Sequence, residues 1–387
     1  MRYREFKLVE TKILKEEGPR IDHAEDIVFW EGSKGAVRAL DSLFNLEKGG
    51  HQQVTIKWDG SPAIIFGRDE NGEFILTDKS GFGATGYDGK AKSADDLEAM
   101  FMNRKGASNP DEAKRNNYLQ FVGNMKDIFD EYEKAVPKDL IGFFKGDLLY
   151  YNTPPVNENG DYVFTPNIVT YEVAQDSDLG QQIGRSKTGV VIHRYMDPVS
   201  GTETAVDPNV IGQFQGTEVL VVPPVTATQP AQIDDESINS LKAVVAQNAS
   251  AIDALLDKNA LAELKLSDFS KILYTYVNQN GTNKNLGGNF EQWVANYKLS
   301  DAKKKRIVEW TRQNAAGFNA LWQIVRGIQE VKNNIINQFD SHDAPVRANI
   351  NGQSGGEGYV LDHPKGLIKL VNRGEGGFTQ ANRAVER

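Results

Sequence analysis

The sequence has no cysteine and few histidines, and both shortages restrict the sites that it can build. Among 387 residues there is no cysteine, and there are five histidines. Without thiols the chain can form neither a disulfide nor a thiolate zinc site, which fits a reducing cytoplasm. His23, His51, His193, His342 and His363 show no HxxxH-type spacing, so we do not expect a histidine-rich metal centre.

Long apolar runs and an excess of positive charge are also lacking. No run approaches the ~18 residues needed to span a bilayer, and the first residues lack the apolar core of a signal peptide. We therefore expect a cytoplasmic protein with no membrane partner. The net charge of -9 argues against a uniformly basic nucleic-acid-binding surface, although a local basic groove remains compatible with it.

The most informative stretch runs from Val54 to Gly67. Two apolar, β-branched segments flank the residues Lys57-Trp58-Asp59-Gly60, which predicts two strands separated by a tight turn. A lysine at the end of a buried strand is poorly solvated, so its neutral, nucleophilic amine becomes accessible. Asp59 lies on the same side of an extended chain as Lys57 and could orient the amine or hold a metal through water. The alternative is an exposed Lys57 and Asp59 at the mouth of a hairpin.

Further charged residues occupy specific positions in the β-type sequence. Lys79 opens a glycine-rich loop, which either lets the backbone approach a ligand closely or forms a flexible surface loop. Asp147 lies inside the apolar segment 141–150, and a buried acid requires a partner such as a ligand hydroxyl or a cation. Near the C-terminus, Glu357 opens one predicted strand and Lys369 lies inside the next.

Two other segments differ from this strand-rich sequence. Helical periodicity dominates residues 232–341, where glycines are scarce. The basic cluster Lys303-Lys304-Lys305-Arg306 in this region is either a solvated helix start or a phosphate contact. Residues 21–26 are polar and turn-like. His23, Glu25 and Asp26 could be functional, but we expect a capped, solvated turn there. The tail from residue 372 is polar, and we expect it to be loosely ordered.

In their order along the chain, these motifs resemble those of the covalent nucleotidyltransferase superfamily. This superfamily comprises ATP-dependent DNA and RNA ligases and mRNA-capping enzymes. Lys57–Gly60 is similar to its KxDG nucleophile motif, and Gly146–Leu148 to the Gly-Glu-Leu strand that meets the ribose. Glu357–Val360 is similar to the EGxV motif, and Leu367–Leu370 to the last lysine motif. Residues 168–173 are similar to the strand whose aromatic ring packs on the nucleobase.

The sequence also departs from the superfamily pattern. Lys79 stands where the superfamily often has arginine, and Asp147 stands where it usually has glutamate. The last motif normally reads Lys-x-Lys, but here Val371 follows Leu370. We expect Lys365 or Arg373 to supply the missing charge.

The resemblance implies a role for each of these residues, together with ATP and Mg²⁺ (or Mn²⁺) as cofactors. They are Lys57 as the nucleophile; Asp59 and Lys369 as further catalytic groups; Thr55, Ile56, Lys79, Asp147, Tyr171, Glu357, Lys365 and Lys369 around the nucleotide; and Glu357 and Asp59 at the metal. The helical stretch lies outside the resemblance, and from their charge alone Lys303, Lys304, Lys305 and Arg306 are candidates for binding nucleic acid. In these roles Asp147 accepts a ribose hydroxyl, Tyr171 stacks on adenine, and the backbone near Thr55 and Ile56 reads the adenine edge.

The implied fold is α+β: antiparallel nucleotidyltransferase (ATP-grasp-like ligase) sheets with helices, plus an inserted all-helical module. Residues 1–50 would form an N-terminal extension of the catalytic domain, 51–231 its first part, 232–341 the helical insertion and 342–387 its final strands. The residues after Lys369 are too few for the OB-fold of DNA ligases and capping enzymes. This favours a compact, RNA-ligase-like and phage-like architecture, which would act in a host cytoplasm.

The implied activity is that of an ATP-dependent polynucleotide ligase. It would join the 3′-hydroxyl and 5′-phosphate ends of RNA or DNA through a lysyl-AMP intermediate, with no obligate protein partner. Two alternatives remain open. One is a capping-type guanylyltransferase, and the other is a non-catalytic relative that binds nucleotides or nucleic acid.

Overall fold

Strands and helices both contribute to the cores of this chain, so the predicted α+β class is confirmed. The structure, a computed structural model, describes residues 21–83, 91–204, 206–214, 217–342 and 345–385. These residues fall into two units. The first unit contains Trp58–Pro224 and Pro345–Gly352, and the second contains Ile21–Lys57, Val225–Ala344 and Gln353–Arg387.

The strands are short, apart from two central ones of nine residues. In chain order they are β1 (Asp22–His23), β2 (Val54–Ile56), β3 (Ala63–Arg68), β4 (Phe74–Asp78), β5 (Gly142–Tyr150), β6 (Asp161–Phe164), β7 (Thr170–Ala174), β8 (Thr188–Met196), β9 (Glu203–Thr204), β10 (Val219–Val221), β11 (Val346–Ile350), β12 (Gln353–Ser354), β13 (Tyr359–Leu361) and β14 (Ile368–Leu370).

The helices are concentrated in the stretch where periodicity predicted them. In chain order they are α1 (Ile27–Phe44), α2 (Lys79–Phe82), α3 (Ala94–Met102), α4 (Glu112–Ala135), α5 (Asp178–Ile183), α6 (Pro208–Gly212), α7 (Asp235–Leu255), α8 (Lys258–Glu263), α9 (Phe269–Asn280), α10 (Leu286–Asn296), α11 (Asp301–Gln313), α12 (Ala315–Ser341) and α13 (Phe378–Val385). In the described part of the chain, none of them combines the length and apolar character needed to cross a bilayer.

The first unit is built on a sheet in the order β10-β8-β5-β3-β4, with β9 paired to β8. Alternate residues of β5 point to opposite faces. One face carries Phe144 and Leu148 into a core that also contains Met125 and Phe129 of α4. The other face carries Lys145 and Asp147, both half-buried. A smaller antiparallel sheet follows the order β11-β7-β6.

The second unit combines the helical stretch with a small mixed sheet. The sheet has the order β1-β14-β13-β2, and β1 runs parallel to β14. Val54, Tyr359 and Leu370 lie on one face of this sheet and belong to a single core with apolar residues of α1, α7, α9 and α12. Alternation along each strand therefore leaves the opposite face free of this core.

The helical stretch does not form a core of its own, so the structure divides the chain differently from the sequence-based partition. Residues 232–341 share one core with α1 and with strands from both ends of the chain. Periodicity identifies helices but gives no information on which distant segment covers their apolar faces. The tail also differs from its prediction, since it contains α13 and the buried Arg373.

Four fully or almost fully buried charges connect these distant segments of the second unit. Glu25 receives hydrogen bonds from Lys332 Nζ at 2.7 and 2.8 Å, and Arg373 binds Asp26 through two contacts of 2.8 Å. Arg373 also reaches Glu25 at 3.3 Å. The prediction of a solvated turn at residues 21–26 was therefore wrong, because Glu25 and Asp26 are 0% exposed.

This buried ion cluster (Glu25, Asp26, Lys332 and Arg373) is neutral as a whole. Two carboxylates face two cations, so each charge that has lost its water is compensated by another. Burial lowers the pKa of Lys332, and the neighbouring Glu25 opposes that shift. Removal of one member would leave an uncompensated charge in the core.

We therefore expect Lys332→Met to reduce the free energy of unfolding by about 3–5 kcal/mol, because Glu25 loses its closest cation. Urea unfolding followed by circular dichroism measures this loss. Lys298→Met, at an exposed position, is the matched control and should change stability by less than about 0.5 kcal/mol.

A second variant separates charge from packing. Glu25→Gln combined with Lys332→Met leaves the neutral pair of Asp26 and Arg373, so we expect the double variant to lose less stability than the sum of the two single variants. Strictly additive losses would contradict a compensated cluster.

Candidate functional site

Lys57 and Glu357 form an ion pair in the second unit. Lys57 Nζ lies 2.5 Å from Glu357 Oε2, and the two side chains are 20% and 14% exposed. The pairing of β2 with β13 creates this contact: the ladder continues one residue beyond β2, where Lys57 N–H donates to the carbonyl of Gly358 at 2.9 Å. Lys57, at the end of β2, thus meets Glu357, which precedes the neighbouring strand β13.

Lys369 lies on the same face of this sheet. It is the cross-strand partner of Val360, which is itself opposite Thr55, two residues before Lys57. Cross-strand partners and alternate residues of a strand share a face. The sheet therefore presents Thr55, Lys57, Val360 and Lys369 on the face opposite the helical core.

Thr55, Lys57, Val360 and Lys369 form a row across this face of the sheet. His23 on β1 extends the row, because its cross-strand partner is Lys369. Its Nδ1 is buried and has no hydrogen-bond partner among the described residues. Burial, and then the positive charges of Arg373, Lys332, Lys369 and Lys57, lower the pKa of His23 well below its usual value. The imidazole is therefore neutral near pH 7. Sequence reasoning assigned His23 to a solvated turn, because pairing with a strand more than 340 residues away leaves no local signal.

The strand that carries the EGxV-like motif is anchored by a half-buried carboxyl at the end of α12. The Tyr359 hydroxyl donates to Asp340 Oδ1 at 2.8 Å, and the Tyr359 ring packs edge-on against Phe339. Burial raises the pKa of Asp340 to about 6, although the hydrogen bond from Tyr359 acts in the opposite direction. Nothing in the sequence around Asp340 indicated this contact.

In the first unit, Asp59 acts as a structural anchor. Its carboxylate accepts hydrogen bonds from Asn167 Nδ2 at 2.9 Å and from the backbone N–H groups of Ile168 and Val169 at 3.1 and 3.3 Å. Asp59 is 6% exposed. A carboxylate occupied in this way holds the segment before β7, and this geometry does not favour its predicted role at a metal.

Tyr171, expected to stack on adenine, is fully buried in the core of the first unit. Its ring lies 4.7 Å from that of Trp58 and 5.6 Å from that of Phe164, and its hydroxyl accepts a hydrogen bond from Asp59 N–H at 2.6 Å. A base cannot reach a ring that other side chains enclose. In this arrangement Tyr171 fixes Trp58 and Asp59, the residues that follow Lys57 in the chain.

Gly60 and Asp147 are close together in the first unit. A Cβ on Gly60 would lie 2.6 Å from Cβ of Asp147, so only glycine permits this approach. The next residue, Ser61, donates its N–H to the carbonyl of Leu148 at 2.9 Å. The glycine of the KxDG-like motif is therefore required by contact with the strand that carries Asp147.

The remaining predicted nucleotide contacts are exposed or already engaged. Lys79 and Lys365 are exposed. Ile56 N–H donates to the carbonyl of Val225 at 2.8 Å, so this group is not available to an adenine edge. Arg373, the alternative source of a second cation, belongs to the buried ion cluster. The glycine-rich loop after Gly83 continues into residues 84–90, which lie outside the described residues.

The basic cluster on α11 is partly neutralised by its own unit. Lys303 binds Asp268 at 2.6 Å, and Lys304 donates to the carbonyl of Ala295 at 2.7 Å. Lys305 is 77% exposed and lies 3.8 Å from Glu309, whereas the other three basic residues are half-buried. Any contact with nucleic acid therefore depends mainly on Lys305 and on the half-buried Arg306.

The raised pKa of Asp340 gives a testable pH dependence. Its pKa in the folded protein, about 6, exceeds the ordinary value of about 4. The stabilisation linked to protonated Asp340 is thus complete below pH ~4 and is lost as the pH rises through about 6.

We expect Asp340→Asn, which keeps an acceptor for Tyr359, to gain stability relative to the native protein as the pH rises from 4.5 to 7.5, by about 2 kcal/mol. Urea unfolding of both proteins across this range measures the difference. A difference that stays constant with pH would contradict the raised pKa of Asp340.

Comparisons with known proteins add one finding. Neither the curated proteins nor the solved structures contain a match to this chain. One family profile matches residues 20–94 and 103–387, which include every candidate site residue named above. The chain therefore belongs to the family of unknown function DUF6267.

Proposed function

We propose that this protein is an ATP-dependent polynucleotide ligase that works through a covalent lysyl-AMP intermediate. The observation that carries the proposal is the ion pair between Lys57 and Glu357, with Lys369 on the same face of the same sheet. These residues were selected from three motifs spread over more than 300 positions. Their arrangement on neighbouring strands is the one that a nucleophile, an acid and a second cation require.

In the first step, Lys57 Nζ attacks the α-phosphorus of ATP. The N–P bond forms, the bond from the α-phosphorus to the bridging oxygen breaks, and pyrophosphate leaves. The amine must lose a proton to attack, and Glu357 is in contact with it and can accept that proton. Lys369 stabilises the negative charge that develops on the phosphate oxygens.

The neutral state of His23 suits this row of residues. A third cation beside Lys57 and Lys369 would raise the cost of bringing these charges together. Instead, the row keeps an uncharged imidazole next to Lys369. Once Lys57 has lost its proton, the positive charge that this row directs at the phosphates therefore resides on Lys369.

The site offers Mg²⁺ one carboxylate, that of Glu357. Among the described residues, no group of three or more His, Cys, Asp or Glu side chains is arranged to hold a metal ion. Mg²⁺ in phosphoryl-transfer sites is usually held by one or two carboxylates together with substrate phosphates and water. Glu357 can supply that carboxylate. Bound with the nucleotide, Mg²⁺ would neutralise phosphate charge.

In the following steps the AMP moves from Lys57 to the 5′-phosphate of a polynucleotide, and a 3′-hydroxyl then displaces it. Lys57 is regenerated as the leaving amine, and the new phosphodiester bond joins the two ends. The exposed Lys305 on α11 is a candidate contact for the polynucleotide backbone.

The decisive experiment is covalent labelling. The protein is incubated with Mg²⁺ and either ATP or GTP labelled at the α-phosphate, and is then run on a denaturing gel. We expect label from ATP on the native protein and on Lys298→Ala, and none on Lys57→Ala. Lys57→Arg should also remain unlabelled, because it retains the positive charge beside Glu357 but lacks the nucleophilic amine.

The outcomes separate the competing functions. Label from GTP alone would indicate a capping-type guanylyltransferase, and absence of label from both nucleotides would indicate a non-catalytic binder. Normal labelling of Lys57→Ala would show that another residue is the nucleophile.

Nucleic-acid binding by α11 is tested in a salt series. We expect neutralisation of Lys303, Lys304, Lys305 and Arg306 with glutamine to weaken binding of single-stranded RNA and to reduce the steepness of its salt dependence. Lys303 and Lys304 have partners within the protein. The double variant Lys305→Gln/Arg306→Gln should therefore account for most of the change. We expect it to reduce the slope of log binding constant against log salt concentration by about 1–2. Lys258→Gln is the control, and an unchanged affinity in all variants would exclude this contact.

A further inference from the structure

Three aromatic rings at α10 form a stack that leads from the core of the second unit towards its surface. Phe290, Trp293 and Tyr297 follow one another at intervals of three and four residues, so they lie on one side of the helix. The planes of Phe290 and Trp293 are 28° apart, with ring centroids separated by 6.1 Å. For Trp293 and Tyr297 the values are 20° and 4.3 Å. Phe290 is 0% exposed, whereas Trp293 and Tyr297 are half-buried, so Tyr297 is the outermost ring of the stack.

Hydrogen bonds fix the two outer rings in place. Trp293 Nε1–H donates to Gln279 Oε1 at 2.9 Å. α10 ends at Asn296, and Tyr297 continues with an extended backbone, while its N–H still donates to the carbonyl of Trp293 at 2.8 Å. A ring that is already held in this way loses little further freedom when a planar ligand stacks on it.

The basic start of α11 lies at the same end of α10. Lys304 Nζ donates to the carbonyl of Ala295, two residues before Tyr297, at 2.7 Å. An ammonium group has three donors, so Lys304 can bind an anion while it keeps this contact. Lys305, the next residue, is 77% exposed. The surface at the end of α10 therefore combines a planar aromatic ring with positive charge.

This combination favours an unpaired nucleic-acid strand as the ligand. Proteins that bind single strands without sequence preference place aromatic rings under the bases and cations along the backbone. In a duplex the faces of neighbouring bases cover one another, so an outer tyrosine ring has only the terminal base pairs to stack on. A tyrosine that continues a stack of rings can accept one unpaired base as the next member of that stack.

We propose that Tyr297 is a stacking platform for an unpaired base of a single-stranded polynucleotide, with Lys304 and Lys305 on the neighbouring phosphates. The inference rests on the proposed function, which makes a polynucleotide the substrate. It adds that the helical stretch holds this substrate in unpaired form. Tyr297 belongs to none of the motifs that resemble the nucleotidyltransferase superfamily.

The test separates the bases from the phosphates and uses no ATP. The full chain is titrated with fluorescently labelled oligodeoxyadenylate of about 12 nucleotides, within the size of a typical single-strand site. A second titration uses an abasic strand of the same length, which keeps the phosphates but has no bases to stack. Stacking of one base corresponds to a preference of about 5- to 100-fold for the base-bearing strand.

We expect Tyr297→Leu to remove most of this preference, with the salt dependence of binding unchanged, because stacking releases no counterions. Tyr297→Phe keeps the ring and should retain the preference. Lys305→Gln should instead weaken binding of both strands by about the same factor and reduce the salt dependence. Circular dichroism verifies that each variant is folded.

The outcomes keep this inference distinct from the proposed ligase function. Equal affinity for the base-bearing and abasic strands, or an unchanged preference in Tyr297→Leu, overturns the stacking platform even if Lys57 is labelled by ATP. A duplex that binds as tightly as the single strand, with the same dependence on Tyr297, also overturns it. A preference that depends on the Tyr297 ring supports the platform even if no lysyl-AMP forms.

Discussion

The buried ion cluster of Glu25, Asp26, Lys332 and Arg373 is the constraint on which the second unit depends. Four charges without water are tolerated only because each faces an opposite charge at hydrogen-bond distance. These residues come from the start of the described chain, from α12 and from the segment after β14. The cluster therefore favours the packing in which these three segments meet. An apolar core would select this packing less strictly, because apolar side chains can replace one another.

This constraint determines what the small sheet of the second unit can present. Because Glu25 and Arg373 are fixed, β1 and β14, the strands that precede these two residues, are held side by side, and His23 is placed next to Lys369. β13 and β2 complete the sheet, with Glu357 shortly before β13 and Lys57 directly after β2. One face is apolar and packs on the helices, so the polar residues accumulate on the other face. The row of candidate catalytic residues is thus a consequence of how this sheet is anchored.

The boundary between the two units falls within the KxDG-like motif. Lys57 belongs to the second unit, whereas Trp58, Asp59 and Gly60 belong to the first. Within the first unit, Trp58 packs against Tyr171, Asp59 caps the segment before β7, and Gly60 contacts Asp147. The residues after the lysine therefore have structural reasons for their identity that do not depend on any reaction. This explains why Asp59 and Tyr171 are poor candidates for direct contact with a metal or a base.

The sequence by itself determined the α+β class, most strands and helices, and the order of the motifs, because apolar periodicity and turn residues are local properties. It also predicted Lys57 and Lys369, which the structure places on one face of one sheet, and Glu357, which forms an ion pair with Lys57. Only the tertiary structure decided that the helical stretch shares a core with both ends of the chain, that Glu25 and Asp26 are buried, and that His193, an additional residue on β8, meets Asp147. Each of these features depends on pairing between distant segments or on an additional residue in a strand, and neither leaves a periodic signal in the sequence.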